Sequence, residues 1–182
     1  WIVYDAINGA GKYLNLAATH GAVSDTGMWS NTAPTSSVFS LSNGGNTAIT
    51  NPNTVTMIAF CFHSVKGYSR FGSYVGNGST DGTFVYTGFK PAFVMTKLSS
   101  ASGEGWEIYN NKTLGYNVDN NKLVANTSGA ESTADRIDLL SNGFKARINS
   151  DGINASGGTL IYMAFAESPF VTGASAIPTT AR

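Results

Sequence analysis

The sequence predicts an all-β fold, an antiparallel β-sandwich of jelly-roll or lectin-like type. Three observations lead there. Apolar residues recur with period two or in short continuous runs, and hardly anywhere at the three- and four-residue spacing of an amphipathic helix. Gly, Asn, Asp and Ser separate these runs. The dipeptides Asn77-Gly78, Asp81-Gly82, Asn142-Gly143 and Asp151-Gly152 predict the positive-φ corners that tight hairpins require.

In chain order, alternating or continuous apolar runs place strands at residues 1–5, 13–17, 38–42, 55–62, 68–75, 83–87, 93–97, 104–109, 122–125, 136–139, 144–148 and 159–166. About twelve strands at this spacing fit two packed layers. A short helical turn is expected around residues 133–136. The polar tracts 42–52 and 110–121 read as loops, the first holding a short strand at 47–50.

An internal repeat organises these elements. Trp1-Ile2-Val3-Tyr4-Asp5 matches Trp106-Glu107-Ile108-Tyr109-Asn110, and Lys12-Tyr13-Leu14 echoes Asn121-Lys122-Leu123. Gly21-Ala22 echoes Gly129-Ala130, and Val38-Phe39-Ser40-Leu41-Ser42 pairs with Gly143-Phe144-Lys145-Ala146-Arg147. Residues 51–62, ending Thr56-Met57-Ile58-Ala59-Phe60-Cys61-Phe62, match 154–165, ending Thr159-Leu160-Ile161-Tyr162-Met163-Ala164-Phe165. The chain therefore reads as two related β modules in tandem: residues 1–66, a connector at 67–90, and residues 91–182. The strand 93–97 precedes the second copy and has no counterpart before Trp1. The expectation is a fragment of a longer tandem-repeat protein, or a first module that pairs with an upstream partner or a neighbouring subunit.

Composition narrows the function. A compact domain of 182 residues buries roughly 70% of its unfolded surface, enough for a real core. Charged residues are only 12%, so the surface is built from Asn, Ser, Thr and Gly. Eleven basic residues balance eleven acidic ones, which leaves no field to draw nucleic acid or an anionic membrane. The single cysteine, Cys61, cannot close an internal disulfide, and its apolar neighbours predict burial. No apolar run approaches the roughly 20 residues that span a bilayer, and no stretch has the pattern of a signal peptide.

Three stretches together resemble a known family: Trp29-Ser30-Asn31-Thr32-Ala33-Pro34-Thr35-Ser36-Ser37-Val38-Phe39, the aromatic and glycine-rich run 67–97, and Leu140-Ser141-Asn142-Gly143-Phe144-Lys145 followed by residues 154–167. They resemble an uncharacterised domain family found at the C-termini of long marine-bacteriophage structural proteins of tail-fibre-like or concanavalin-like description. The closing Ile177-Pro178-Thr179-Thr180-Ala181-Arg182 is similar to that family's C-terminus. The resemblance covers nearly the whole chain and implies a virion component, with no reaction or binding residue attached. One departure stands out: the second copy keeps the family's Asn154-Ala155-Ser156-Gly157-Gly158-Thr159, whereas the first has Asn51-Pro52-Asn53-Thr54-Val55-Thr56. A different turn is expected there.

Candidate chemistry is sparse. Glu104 and Glu107 are the only close carboxylates in a predicted strand, and their spacing puts them on opposite faces, unlike a glycosidase pair. His20 and His63 have no partners at ligand spacing, so no metal, cofactor or triad is expected. The loop 76–82 carries one carboxylate, too few for calcium, and reads as a stiffened hairpin. Glycan contact is the open possibility, through Tyr68, Tyr74, Tyr86, Tyr116, Trp29 and Arg70, although Tyr68, Tyr74, Phe84 and Tyr86 alternate as core residues do. Trp29, in a polar loop, is expected to be partly exposed. The ligand-binding candidates are Trp29, Arg70, Asn77 and Asp81. The leading expectation is a non-enzymatic phage virion protein forming part of a fibre, spike or capsid-decorating appendage, located in the virion, homo-oligomeric and in contact with other virion proteins. The alternative is a carbohydrate-binding adhesin for host surface polysaccharide; a lectin-like depolymerase is a third.

Overall fold

The computed structural model describes residues 1–42, 47–113, 117, 121–133, 136–169, 171–172 and 177–178. Its elements follow as β1 (Ile2–Val3), β2 (Lys12–Asn15), β3 (Val23–Ser24), α1 (Thr47–Thr50), β4 (Ser69–Val75), β5 (Phe84–Tyr86), β6 (Pro91–Leu98), β7 (Trp106–Asn110), β8 (Leu123–Val124), β9 (Ile137–Leu140), β10 (Gly143–Ala146), α2 (Asp151–Asn154), β11 (Thr159–Ala166), β12 (Val171–Thr172) and β13 (Ile177–Pro178). The fold is nearly all-β with antiparallel sheets and almost no helix.

The largest sheet has the order β4-β11-β6-β7-β8. β11 lies inside it, between β4 and β6, because Thr159-Leu160-Ile161-Tyr162-Met163-Ala164-Phe165 is apolar on both faces, the pattern of a strand with cover above and below. It pairs with β4 from Thr159↔Val75 to Phe165↔Ser69, and with β6 from Leu160↔Leu98 to a bulge at Phe165 and Ala166. A smaller sheet, β5-β10-β9, faces it. Alternate residues of both meet in one core: Val85, Ile137, Leu139, Phe144 and Ala146 from the small sheet, and Tyr74, Val94, Tyr109, Leu160, Tyr162 and Ala164 from the large one. The arrangement is sandwich-like. Residues 67–90, read from sequence as a connector, supply β4 and β5, which are integral to these two sheets.

A third sheet, β1-β2-β3, covers part of the other face of the large sheet. Leu14, Trp106 and Ile161 form a second core with Val3, Leu16, Ala22 and Met95 around them. Hydrogen bonds fasten it: the Trp106 indole donates to Asn15 O at 3.0 Å, Ala22 N to Ser99 O at 2.8 Å, and Gly103 N to Thr19 O at 3.0 Å.

Local geometry follows the internal repeat. Val3 sits opposite Leu14 as Ile108 sits opposite Leu123. Leu16 N donates to Trp1 O at 3.0 Å, as Ala125 N does to Trp106 O at 2.9 Å. Asp5 Oδ1 accepts from Ile7 N and Asn8 N; Asn110 Oδ1 accepts from Lys112 N and Thr113 N. Thr54, at φ 63°, repeats the left-handed backbone of Gly157, at φ 70°. The expected difference at this corner is therefore corrected: the left-handed residue is retained, with a β-branched side chain forced into it.

Other expectations also change. Residues 38–42 and 55–62 join no sheet, and 47–50 form one helical turn rather than a strand. Cys61 is exposed, not buried, because the run around it has no sheet to enter. Of the four turn dipeptides, only Gly78 has a positive φ, 64°. Gly82, Gly143 and Gly152 are needed for space instead, since a methyl group there would collide with Ala146 O, Val85 O and the Glu107 carboxylate respectively. The expected turn at 133–136 falls partly on residues outside the described ones, as do Tyr116 and most of the C-terminal hexapeptide.

Candidate functional site

The loop 76–82 is built around Asn154, a fully buried amide at the end of α2. Asn154 Oδ1 accepts from Asn77 N at 2.9 Å, while its Nδ2 donates to Asn77 Oδ1 at 2.9 Å and Ser79 O at 2.7 Å. Asn77 Nδ2 in turn donates to Asp81 O at 3.0 Å. The two candidates Asn77 and Asp81 thus share one braced loop. Sequence reasoning missed Asn154, whose only signal was its place in the repeat opposite Asn51.

Asp81 reaches from this loop to the outer face of the small sheet and pairs with Lys145 at 2.5 Å. The Lys145 hydrogen bond, and then its charge, hold the Asp81 carboxyl below its usual range. Phe84 stands opposite Lys145, and Tyr86 opposite Gly143. Both rings point away from the core that holds Val85, and Tyr86 is 61% exposed. Gly143 leaves the space between them shallow, and the Phe84 ring edge lies over it. Asp138 and Arg147, paired at 3.4 Å, extend the patch. The result is a pair of outward aromatic rings beside two ion pairs. The core placement expected for Phe84, Tyr86 and Tyr68 is corrected: all three are exposed, and only Tyr74 is buried.

The other two candidates lie elsewhere. Trp29 is buried, not partly exposed: its indole donates to Lys12 O at 2.9 Å and its ring packs edge-on against Tyr4 at 5.7 Å. A backbone acceptor for the indole N–H, together with the Tyr4 ring contact, outweighs the polar character of the surrounding loop. Arg70 is exposed on β4, the edge of the large sheet.

Glu107 occupies the interior. Its carboxylate pairs with Lys122, lies 3.8 Å from Arg136 Nη1 and accepts from Tyr109 Oη at 2.5 Å. Burial first, and then the Glu107 charge, raise the Tyr109 and Tyr74 hydroxyls well above their usual pKa. Glu104 precedes β7, so strand alternation does not govern it, and both carboxylates close on the space beside Gly152. This corrects the expectation of opposite faces. Both oxygens of Glu107 have protein partners and the side chain is closed off from solvent, so these contacts offset the cost of burying its charge, the arrangement of a structural ion cluster. Among the described residues, no three His, Cys, Asp or Glu side chains converge to hold a metal ion, and no helix is long and apolar enough to cross a membrane.

A second surface is apolar. Residues 55–62 belong to no element and are exposed throughout, with Ile58 at 68% and Phe60 at 66%. The Trp1 and Phe60 rings meet at 5.5 Å, and Phe62 packs on Phe71 and Phe165 at 6.0 and 6.2 Å. A shallow depression beside Trp1, Leu16 and Asn126 continues it.

Comparison with curated proteins and with solved structures finds no match. The sequence profile of a domain of unknown function, DUF7483, matches residues 1–169. With its two hairpins, its braced loop and its apolar run all inside that span, the chain belongs to the DUF7483 family.

Proposed function

We propose that the chain is a non-enzymatic structural component of a bacteriophage virion, a tandem β-sandwich region of a fibre, spike or capsid-decorating appendage that assembles as a homo-oligomer with other virion proteins. The observation that carries this reading is the exposed apolar run 55–62 with Trp1 against it. Contiguous apolar surface of this kind marks a face that another protein covers. The sparse charge fits a surface made for packing and uncharged hydrogen bonding, and the sequence resemblance supplies the virion context. Mass spectrometry of purified particles of a phage encoding the chain tests it: the protein co-purifies at a fixed ratio to the major structural proteins. Its absence from intact particles overturns the reading.

The outward rings of Phe84 and Tyr86 beside the Asp81–Lys145 pair favour a second reading, an adhesin for host surface polysaccharide. Aromatic faces next to hydrogen-bonding groups suit sugar rings. Binding of the assembled protein to host polysaccharide should fall about tenfold in Tyr86→Ala, as loss of a central aromatic contact does. Binding at background for the unaltered protein removes this reading and leaves the first standing.

A further inference from the structure

In the second half of the chain, the run Thr159-Leu160-Ile161-Tyr162-Met163-Ala164-Phe165 is flanked by β4 and β6. The first half carries the run Thr56-Met57-Ile58-Ala59-Phe60-Cys61-Phe62 in step with it, and the preceding residues repeat the hairpin register and the left-handed corner. Leu160, Ile161, Tyr162 and Ala164 are buried, whereas Met57, Ile58, Phe60 and Cys61 are exposed. A strand apolar on both faces belongs inside a sheet. What differs is the neighbours.

The principal partner of β11 is β6, which also pairs with β7 and reaches it through the short loop 99–105. The counterpart of β7 is β1. The counterparts of Trp106 and Met163 are Trp1 and Phe60. In the second half those two residues are held apart by β6, which places Lys97 opposite Trp106 and Met95 opposite Met163. In the first half the rings of Trp1 and Phe60 touch. The two borders that β6 separates in the second half therefore meet through their rings in the first, where an entering strand would part them, and no described strand of residues 1–66 lies between them.

We propose that residues 55–62 and β1 form an acceptor lane for one extended antiparallel strand of β6 type, with the alternation Ala92-Phe93-Val94-Met95-Thr96-Lys97. The donor is a preceding repeat of the same module in the same polypeptide, entering β1 through a loop like 99–105. Pairing satisfies the bare backbone of 55–62, and the donor's apolar side chains cover its rings. This holds whether or not the protein is part of a virion, because it concerns what completes the fold.

The test uses the full chain, alone and with a copy of residues 90–105 fused before Trp1. A control carries the same fusion with Val94→Pro and Thr96→Pro in the added copy. Cys61 is the only cysteine, and its counterpart Ala164 is fully buried, so alkylation by iodoacetamide reports closure of the lane. Alkylation should slow at least about tenfold in the fusion, with new hydrogen-exchange protection at 55–62, while the proline control behaves like the chain alone. Protection of β11 in all three shows that each is folded. Equal alkylation in all three overturns the proposal. Protection of Cys61 in the unfused chain that rises with concentration, together with a dimer in sedimentation, also overturns it by giving the lane to a second copy.

Discussion

Thr54 holds a backbone angle that suits glycine, and the matching position in the second half is Gly157. A β-branched residue in the left-handed region is strained. Thr54→Gly is therefore expected to stabilise the chain by about 0.5–1 kcal/mol, read as a higher denaturation midpoint. Glu107 presents the opposite case, a charge tied inside the protein to Lys122, Arg136 and Tyr109. Glu107→Gln leaves the cations uncompensated and should cost about 3–5 kcal/mol by urea denaturation. Loss of any glycan-cleaving activity in that variant would thus report unfolding, so Glu104→Gln is the cleaner substitution for testing a depolymerase. Asp81 and Glu167 each contribute to the acid behaviour. The Lys145 and Lys90 hydrogen bonds respectively lower their carboxyl groups in the folded state. Their contribution is present above the unfolded carboxylate range and is lost as pH falls through the lowered folded values. Asp81→Asn should flatten the acid limb of a stability–pH curve slightly, since the pair lies in solvent; an unchanged limb removes Asp81 from the account.

At the scale of the element, the loop 76–82 depends on one amide from a distant turn. Asn154→Ala removes three hydrogen bonds and is expected to cost about 1–3 kcal/mol, with amide exchange quickening at residues 77–81 before the rest of the sheet. Strand alternation in the sequence was enough to place β4, β5, β6, β7 and β11 within a few residues, because each has a partner within the chain. The same alternation misplaced 55–62 and 38–42: an apolar pattern reports competence to pair and says nothing about whether a neighbour exists. The two-residue strand β3 carried too short a signal to find. Site legibility divided in the same way. The turn chemistry of Asn77 and Asp81 was readable locally, whereas the burial of Trp29 depends on the Lys12 carbonyl, 17 positions away. Tyr86 and Phe84 were misread because alternation distinguishes two faces without saying which one is covered.

For the whole molecule, sheet order matters as much as sheet content. β11 joins β4 to β6, although both precede it in the chain and β4 lies far upstream. Such non-local pairing makes folding slow. During synthesis the place between β4 and β6 stays vacant until β11 arrives, and residues 55–62 are already present with a matching pattern. The repeat thus supplies an intramolecular decoy, a segment able to occupy the wrong lane and oblige the chain to back out before it can finish. Refolding from denaturant should show a slow phase whose amplitude falls in Ile58→Asp with Phe60→Asp, while β11 keeps its hydrogen-exchange protection. Unchanged phases would show that the copies do not compete. If they do compete, the order in which the strands leave the ribosome governs the yield of folded protein, and any upstream strand that captures residues 55–62 early also acts as a folding chaperone for the half of the chain that follows.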